Sequence, residues 1–198
     1  QHFMLHLLPK KLPNIILGSA SSRRKELLKK MGLEFKIHAL NVDESYSDSI
    51  PSQNVAEHIA KIKMEYLASL YDINNLLITA DTVVRYKNEI LGKPISKENS
   101  IDILEKISGE KHIVTSACVL HFQNKTICFS EDTEVHFEEI NKDIINHYVS
   151  NYNPFDKAGS YGIQDWIGFI GVKKIIGSYN NVVGLPTSSL YKNLLEIL

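Results

Sequence analysis

The sequence predicts an α/β protein in which helices cover both faces of a parallel or mixed β-sheet. Hydrophobic runs alternate with helical patterns from the start of the chain. The run Leu76–Val84 is apolar almost throughout, which is typical of a strand buried on both faces. The composition, with 43% hydrophobic residues, 23% charged residues, 10 Gly and 6 Pro, excludes disordered and collagen-like chains.

The first predicted unit is a strand that passes directly into a helix. Ile15–Leu17 has the apolar character of a buried strand. Ser21 or Ser22 can cap the following helix, because a serine side chain accepts hydrogen bonds from the free N–H groups of a first helical turn. Gly32 follows the last position of the apolar face, and we expect the helix to end there.

The middle of the chain repeats this alternation. Phe35–Leu40 predicts a second strand, and a long second helix follows it. The apolar stripe predicted for that helix comprises Val55, Ile59, Ile62, Tyr66, Leu67 and Leu70. Leu76–Val84 is the third strand, and Asp81 interrupts its apolar character.

The second half of the chain predicts a hairpin among further helices. Two strands, Ile113–Phe122 and Thr126–Phe137, are separated by the polar turn Gln123–Lys125. The predicted helices of this half are Ile101–Ile107, Ile144–Val149 and a short one that begins at Ser188. Between the last two lies a glycine-containing stretch, Pro154–Gly184, to which no helix or strand is assigned.

Charge and cysteine content exclude several classes of protein. With 22 Lys and Arg against 23 Asp and Glu the net charge is −1, so no general basic field exists to bind nucleic acid or an anionic membrane. Cys118 and Cys128 lack metal-binding or disulfide spacing, which suits a reducing compartment. Because no apolar run reaches the roughly 18 residues of a membrane span, we expect a cytoplasmic protein.

The domain organisation is predicted to be simple. Residues 1–12 form an N-terminal extension, in which Gln1–Phe3 are expected to derive from the expression vector and Met4 to be the native start. Residues 13–198 contain no internal repeat and no linker-like segment. We therefore expect one domain, with its two lobes interleaved along the chain.

A candidate anion site lies at the first junction between strand and helix. The segment Gly18–Arg24 places the hydroxyl groups of Ser19 and Ser21 and the guanidinium groups of Arg23 and Arg24 there. The N-terminus of a helix attracts anions through its free N–H groups and its dipole, and arginine binds phosphate with two hydrogen bonds. The alternative is a simple helix cap followed by two solvated arginines.

Acidic and basic residues elsewhere complete a possible phosphate-handling site. Asp81 lies inside an apolar strand, where a carboxylate requires an ion pair, a metal ion or a proton. Glu44 follows the second predicted strand, Lys63 lies on the second helix, and Lys93 lies between a glycine and a proline. Taken alone, Glu44 and each lysine are more typical of solvated residues. Together with the arginine-bearing anion site, two acids that hold Mg²⁺ and two lysines that neutralise a polyphosphate indicate phosphoryl chemistry.

A glutamine in the glycine-containing stretch is the candidate base reader. Gln164 ends the segment Asp156–Gln164, and its amide can both donate and accept hydrogen bonds to the edge of a nucleobase. The alternative is a glycine-rich turn with a solvated amide. The eight histidines show no zinc-binding spacing, so a zinc site is not expected.

Eight motifs occur in one order and together carry a family resemblance. They are S-x-S-x-R-R from Ser19, V-D-E from Val42, A-x-x-K with Lys63, A-D-T from Ala80, L-G-K-P from Leu91, S-G-x-x-H from Ser108, D-K-A-G-x-Y-G-I-Q from Asp156 and G-S-Y-x-N-V-V-G-L-P from Gly177. On these motifs the chain resembles the Maf family of nucleoside triphosphate pyrophosphatases.

The resemblance implies a fold, a reaction and a set of site residues. The fold is like that of the inosine triphosphate pyrophosphatases, an elongated mixed sheet flanked by helices, with a nucleotide cleft between two lobes. The reaction cleaves a nucleoside triphosphate between the α and β phosphates. Asp81 is implied as proton acceptor, Glu44 and Lys63 as catalytic, and Glu44 with Asp81 as ligands of Mg²⁺ or Mn²⁺. The implied substrate-binding residues are Ser19, Ser21, Arg23, Arg24, Thr82, Lys93 and Gln164. A homodimer is also implied.

The resemblance further implies a substrate branch. Arg23, Thr82 and Gln164 match the positions associated with action on dTTP and UTP, whereas the branch that prefers 7-methyl-GTP replaces Lys157 and Gln164. Asp165 stands where glycine is usual and adds a charge beside the base reader. Modified pyrimidine triphosphates are further candidate substrates of this branch. The alternatives are a pyrophosphatase for another modified nucleotide, such as 7-methyl-GTP, and a nucleotide-binding regulator of cell division or septum formation.

Overall fold

The computed structural model describes residues 6–198, so the predictions for Gln1–Phe3 and Met4 lie outside the described residues. The strands are β1 (Asn14–Gly18), β2 (Lys36–Ile37), β3 (Asn75–Tyr86), β4 (Glu89–Leu91), β5 (Lys111–Phe122), β6 (Lys125–Phe137) and β7 (Val172–Ile176). The helices are α1 (Ser22–Lys30), α2 (Val55–Ala68), α3 (Lys97–Ile107), α4 (Lys142–Tyr152), α5 (Trp166–Gly171), α6 (Tyr179–Val183) and α7 (Thr187–Ile197).

The strands form one mixed sheet, as predicted. Their order is β2-β1-β3-β5-β6-β7, and β4 pairs with the end of β3. β1 runs parallel to both β2 and β3, because α1 and α2 return the chain to the same end of the sheet. All later pairs are antiparallel, and the β5–β6 hairpin turns at the predicted residues. The predicted α/β class with a mixed sheet flanked by helices is confirmed.

The long central strand β3 is buried on both faces, which explains its continuous apolar run. Leu76 and Ile78 pack on one side with residues of α1 and α7. Leu77 and Val83 pack on the other side with the apolar face of α2. The far end of β3 contributes to a further cluster with α3 and α4. Any polar side chain on this strand must therefore find its partners inside the protein.

The junction between β1 and α1 depends on a cap and on a glycine. The Ser21 side chain accepts a hydrogen bond from the backbone N–H of Arg24, which makes Ser21 the N-cap. A side chain at Gly18 would place its Cβ 2.8 Å from Leu67 and 2.9 Å from Thr79. An alanine at Gly18 would therefore require the Leu67 and Thr79 side chains to shift.

Three local predictions were wrong in detail. β2 has only two residues instead of the predicted Phe35–Leu40, because it is an exposed edge strand with β1 as its only neighbour. The buried face of α2 is rotated from the predicted stripe, so that Tyr66 is about half exposed, and Leu70, which is also about half exposed, lies beyond the end of the helix. Pro154–Gly184 contains α5, β7 and α6, whose short lengths give no readable period.

Two predictions about the ends and the organisation of the chain have different outcomes. Among residues 6–198, no helix is long and apolar enough to cross a bilayer. Within the predicted extension, Leu8 N–H donates to the hydroxyl group of Tyr191 on α7. The division of residues 13–198 into two interleaved lobes stays a prediction.

His112 on β5 is a buried, neutral histidine. Its Nε2 lies 2.7 Å from the hydroxyl oxygen of Tyr161, and its ring meets those of Phe137 and Tyr161 edge to face. Its Nδ1 has no hydrogen-bond partner among the described residues. Burial lowers the pKa of His112 to about 4, and the positive charge of His136 acts in the same direction.

This shift predicts a loss of stability in acid. Since the folded protein depresses the pKa from an ordinary value near 6.5, the stabilisation is fully present above about pH 6.5 and is lost as pH falls towards 4. The maximal loss is about 3 kcal/mol of unfolding free energy. Urea unfolding between pH 7 and pH 4 should show a shallower decline for His112→Phe than for the wild type. The exposed control His121→Gln should keep the wild-type slope, and equal slopes for all three proteins would contradict the assignment.

Candidate active site

One cavity of about 380 Å³ collects every site residue predicted from the sequence. It opens where β1 passes into α1 and lies over the middle of β3. The predicted residues on its wall are Ser19, Ser21, Arg23, Arg24, Glu44, Lys63, Asp81, Thr82, Lys93 and Gln164. These residues come from the two ends of the chain as well as its middle, so the fold brings together motifs that are up to about 145 positions apart in the sequence.

Arg24 is buried at the back of the cavity and is held by neutral groups. Its Nε donates to the carbonyl oxygen of Gly184 at 2.9 Å, Nη1 to Ser19 Oγ at 3.2 Å and Nη2 to Thr82 Oγ1 at 3.0 Å. It forms no salt bridge with any of residues 6–198. Burial lowers the pKa of Arg24, while the negative charge of Asp81 raises it. An arginine keeps its proton even so, and its uncompensated charge attracts an anion to the cavity.

Behind Arg24, hydrogen bonds connect Thr82, Ser116 and Asn181. Arg24 donates to Thr82, and Ser116 Oγ donates to the carbonyl oxygen of Asn181 at 2.8 Å. Thr82 Oγ1 lies 2.8 Å from Ser116 Oγ and 3.3 Å from the carbonyl oxygen of Gly184, so that its single proton has two possible acceptors. Asn181 was not singled out by the sequence, although it lies in the motif from Gly177. It is fully buried and donates to Val114 O, Glu131 O and Thr133 Oγ1, which fixes this wall.

Lys63 joins the two predicted carboxylates. Its Nζ lies 2.7 Å from Asp81 Oδ1 and 2.9 Å from Glu44 Oε1. The Lys63 and Asp81 side chains are only 10% and 11% exposed, whereas that of Glu44 is 43% exposed. The ion pair that was one alternative for Asp81 is therefore present. Asp81 nevertheless lines the cavity, so the ion pair does not decide against a catalytic role.

The charges around Glu44 favour its ionised form. Partial burial acts to raise the pKa of Glu44, but the hydrogen bond and charge of Lys63 outweigh it, and the pKa lies below its ordinary value. Lys93 and Arg24 add to this lowering. Lys93 comes from the loop between β4 and α3 and forms no ion pair within the described residues. Its ammonium group is therefore free to meet a negatively charged ligand.

A chain of charges that the sequence did not predict borders the other end of the cavity. Arg23 Nη1 lies 2.6 Å from Asp156 Oδ2, and Lys157 Nζ lies 2.7 Å from Asp156 Oδ1. Lys157 also lies 3.6 Å from Asp165 Oδ2, which accepts from the hydroxyl group of Tyr148. The added charge of Asp165 is thus paired. Asp156 and Lys157 belong to a motif that was recognised, but pairing across 133 positions leaves no local signal.

Gln164 lies beside this charge chain, on the turn before α5. Its amide lines the cavity, and its Oε1 is buried without a hydrogen-bond donor among residues 6–198. An unsatisfied buried carbonyl costs about 1–3 kcal/mol. A ligand that offers a donor to a rotated Gln164 amide recovers this free energy, so the observation favours the base-reading role over a solvated turn.

The donor set fits a divalent metal only together with a phosphate ligand. Within the described part of the chain, no group of three or more His, Cys, Asp or Glu side chains could hold a metal ion. Glu44 and Asp81 supply two carboxylates near one point. Because Mg²⁺ is commonly bound through one or two carboxylates plus substrate phosphates, these two residues fit that mode of binding.

Comparison with known proteins gives the family. The model of the family described as Maf-like protein matches residues 14–197. A dTTP/UTP pyrophosphatase of Bacteroides fragilis is 42% identical over 184 residues, which cover 92% of this chain and 95% of that protein. A dTTP/UTP pyrophosphatase of Flavobacterium psychrophilum is 42% identical over 197 residues, which cover 96% and 98% of the two chains. The crystal structure of a nucleoside-triphosphatase / dITP/XTP pyrophosphatase from Mycobacterium abscessus is 13% identical with a TM-score of 0.45, and the match covers 93% of this chain and 92% of that chain. With seven of its eight motifs contributing to the wall of one cavity and the family model matched over nearly its whole length, the chain belongs to the Maf-like protein family.

Proposed function

We propose that the protein hydrolyses dTTP and UTP to the nucleoside monophosphate and pyrophosphate. The observation that carries the proposal is the contact of Asp81 with Lys63 at 2.7 Å, in a cavity that also holds Lys93, Arg24 and the N-terminus of α1. A carboxylate held in place among cations is what an attack of water on a polyphosphate requires. The printed names of the two relatives, both dTTP/UTP pyrophosphatases, support the same reaction and the same substrates.

The cations and the helix terminus bind the triphosphate in this proposal. Lys93 supplies an ammonium group from an exposed loop, whereas Lys63 and Arg24 supply cations that their hydrogen bonds hold in place. Ser19 and Ser21 border the first turn of α1, whose N–H groups and dipole favour negative charge. Groups fixed in this way stabilise charge that develops on phosphate oxygens, each by a few kcal/mol in a site that excludes water.

Asp81 is the proposed proton acceptor. Its carboxylate takes a proton from a water molecule while the water oxygen forms a bond to the α-phosphorus. The bond from the α-phosphorus to the oxygen that bridges the α and β phosphates breaks, and its electron pair leaves with pyrophosphate. Lys63 holds the Asp81 carboxylate in one orientation throughout, because its ammonium contacts Oδ1.

Glu44 and Asp81 would hold Mg²⁺ or Mn²⁺ together with the substrate phosphates. When bound, the metal ion neutralises phosphate charge and makes the phosphorus a better electrophile. We expect protein treated with a chelator to lose UTP hydrolysis and to regain it when Mg²⁺ or Mn²⁺ is added in excess. Pyrophosphate release with and without added metal measures this, and full turnover in the chelator would contradict the metal requirement.

The choice of pyrimidine is proposed to rest on Arg23, Thr82 and Gln164. Uracil and thymine present two carbonyl oxygens and an N–H group, whereas cytosine replaces one carbonyl by an amino group. The Gln164 amide can pair with either edge by rotation, but the Arg23 guanidinium only donates and therefore favours a carbonyl. Asp156 fixes Arg23 across the cavity.

A substrate panel tests the proposal. Purified protein is incubated with Mg²⁺ or Mn²⁺ and dTTP, UTP, CTP, GTP, ATP or 7-methyl-GTP, and monophosphate and pyrophosphate are measured together. We expect equimolar products from dTTP and UTP and slower reaction of the others. Preference for 7-methyl-GTP would contradict the role given to Gln164. Binding without turnover across the panel would favour the regulator of cell division instead.

A cytoplasmic location and a homodimer stay proposals that accompany this function. Sedimentation equilibrium at several protein concentrations measures the oligomeric state directly. A species of twice the chain mass is the expected result, and a monomer throughout would contradict it.

A further inference from the structure

A second cavity lies directly behind the base-reading end of the first. Its volume is about 260 Å³, and it shares Arg23, Gln164 and Val183 with the first cavity. Its other walls come from α1, α6 and the first residue of α7. The shared residues therefore separate two spaces, and the larger one holds all the groups assigned to the phosphates.

The second cavity is large enough to hold a substituent and is lined by both apolar and polar side chains. Its volume is several times the roughly 30 Å³ that one molecule of liquid water occupies. Leu27, Met31 and Val183 give it an apolar side. Its polar side consists of Tyr179, of Asn180 and Thr187, which share a hydrogen bond of 2.9 Å, and of Glu26 and Lys30, which form an ion pair.

The charges on this polar side are largely balanced. The Glu26 and Lys30 side chains are 2.9 Å apart and both are about two-thirds exposed. The Arg23 guanidinium at the boundary is already paired with Asp156. An ionic group would therefore gain little from this surface, whereas an uncharged polar group could bond to Asn180, Thr187 or Tyr179 while its stem lies on the apolar side.

The position of the second cavity relative to the base determines which substituent of the pyrimidine ring can enter it. If the triphosphate lies on Lys63 and Lys93 and the carbonyl edge of the pyrimidine faces Arg23 and Gln164, the ribose is directed back towards the phosphates. The ring carbon next to the 4-carbonyl group, C5, is then the position adjacent to the shared wall. A substituent on C5 is directed past Arg23 and Gln164 and into the second cavity.

We propose that the second cavity is a subsite for an uncharged polar substituent on C5 of the pyrimidine, larger than the methyl group of thymine. The proposal rests on the proposed function, since it takes the base to be read at Arg23 and Gln164. It extends the substrate class from dTTP and UTP to uridine nucleotides with such substituents. Asn180, Thr187 and Tyr179 are the residues that would bond to the substituent.

The test compares UTP with 5-(3-hydroxypropynyl)-UTP, whose tail is rigid, uncharged and polar at its end. We expect kcat/KM for this probe to lie within about 3-fold of that for UTP in the wild type, because the tail meets space instead of a wall. Asn180→Phe fills the cavity from a residue that has no assigned role in catalysis or in binding of UTP. It should lower kcat/KM for the probe by about 10-fold or more and that for UTP by less than about 2-fold.

Two further variants serve as controls. Asn180→Ala removes the same hydrogen bond to Thr187 but leaves the cavity open, so both substrates should keep kcat/KM within about 2-fold of the wild type. Thr187→Met fills the cavity from the opposite wall and should repeat the selective loss if Asn180→Phe fails to fold. Unchanged UTP turnover in each variant shows that the protein is folded.

Each contrary result has its own meaning. A probe that the wild type hydrolyses about 30-fold or more slowly than UTP shows that no space receives the tail, which overturns the proposal. If the filled variants lose kcat/KM for UTP and for the probe to the same extent, the base itself occupies this cavity. That result also overturns the proposal. If the filled variants keep the wild-type kcat/KM for the probe, the tail does not enter the second cavity, and the proposal is overturned. Failure of the proposed function is distinct, because the wild type would then release no UMP from UTP itself.

Discussion

Replacing Asp81 by asparagine is expected to lower kcat for UTP by about 10³-fold, because general-base catalysis contributes roughly 10²- to 10⁴-fold and asparagine cannot accept the proton. The substitution keeps the shape of the side chain, and Lys63 keeps its contact with Glu44. We therefore expect the protein to remain folded, with kcat changed far more than KM. Single-turnover release of UMP measures the effect.

The matched control for this substitution is Asp132→Asn. Asp132 lies on β6, in the same sheet, and pairs with Arg85 outside the cavity. Its replacement should leave kcat within about 2-fold of the wild type, because neither residue of the pair lines the cavity. If Asp81→Asn retained near-wild-type turnover, Asp81 would have only the structural role of an ion-pair partner for Lys63.

Replacing Lys63 by methionine is expected to lower the free energy of unfolding by about 3 kcal/mol, since removal of one partner leaves a buried charge without compensation. Asp81 is buried and would lose its only ion-pair partner among the described residues, and Glu44 would lose its own. Turnover should fall as well, because the same ammonium orients Asp81 and meets the phosphates. Urea unfolding at pH 7 gives the stability change.

A double variant separates the charge effect from lost packing. In Lys63→Met/Asp81→Leu the buried charge is removed with its partner, so we expect most of the lost stability to return. Asp81→Leu alone leaves the Lys63 ammonium with Glu44 and should have an intermediate effect. Equal destabilisation of the single Lys63 variant and the double variant would mean that the loss does not arise from an uncompensated charge on Asp81.

Much of the fold was predictable because its longest elements carry strong patterns. β3 is apolar on both faces, and its helices α1 and α2 show one apolar face each, so the alternation of strands and helices is visible in the sequence. The cap at Ser21 and the β5–β6 turn follow from local chemistry. α5, β7 and α6 were missed because five or six residues are too few to show a helical or strand period.

The residues of the candidate site were named from the sequence, but the contacts among them were not. The sequence indicated Asp81 because a carboxylate in an apolar strand needs a partner, and the structure supplies Lys63. It could not indicate that Arg24 would be buried against Gly184, or that Arg23 would pair with Asp156, because these partners are more than 130 positions apart. Such contacts depend on the packing of α1 against the C-terminal third of the chain.

The central claim is that water attacks the α-phosphorus of UTP in the cavity that holds Asp81. Hydrolysis in water enriched in ¹⁸O, followed by mass spectrometry of the products, tests it most directly. The account predicts UMP and pyrophosphate in equal amounts, with one ¹⁸O in UMP and none in pyrophosphate. Label in pyrophosphate, or release of UDP and orthophosphate, would contradict it, because the attack would then occur at a different phosphorus.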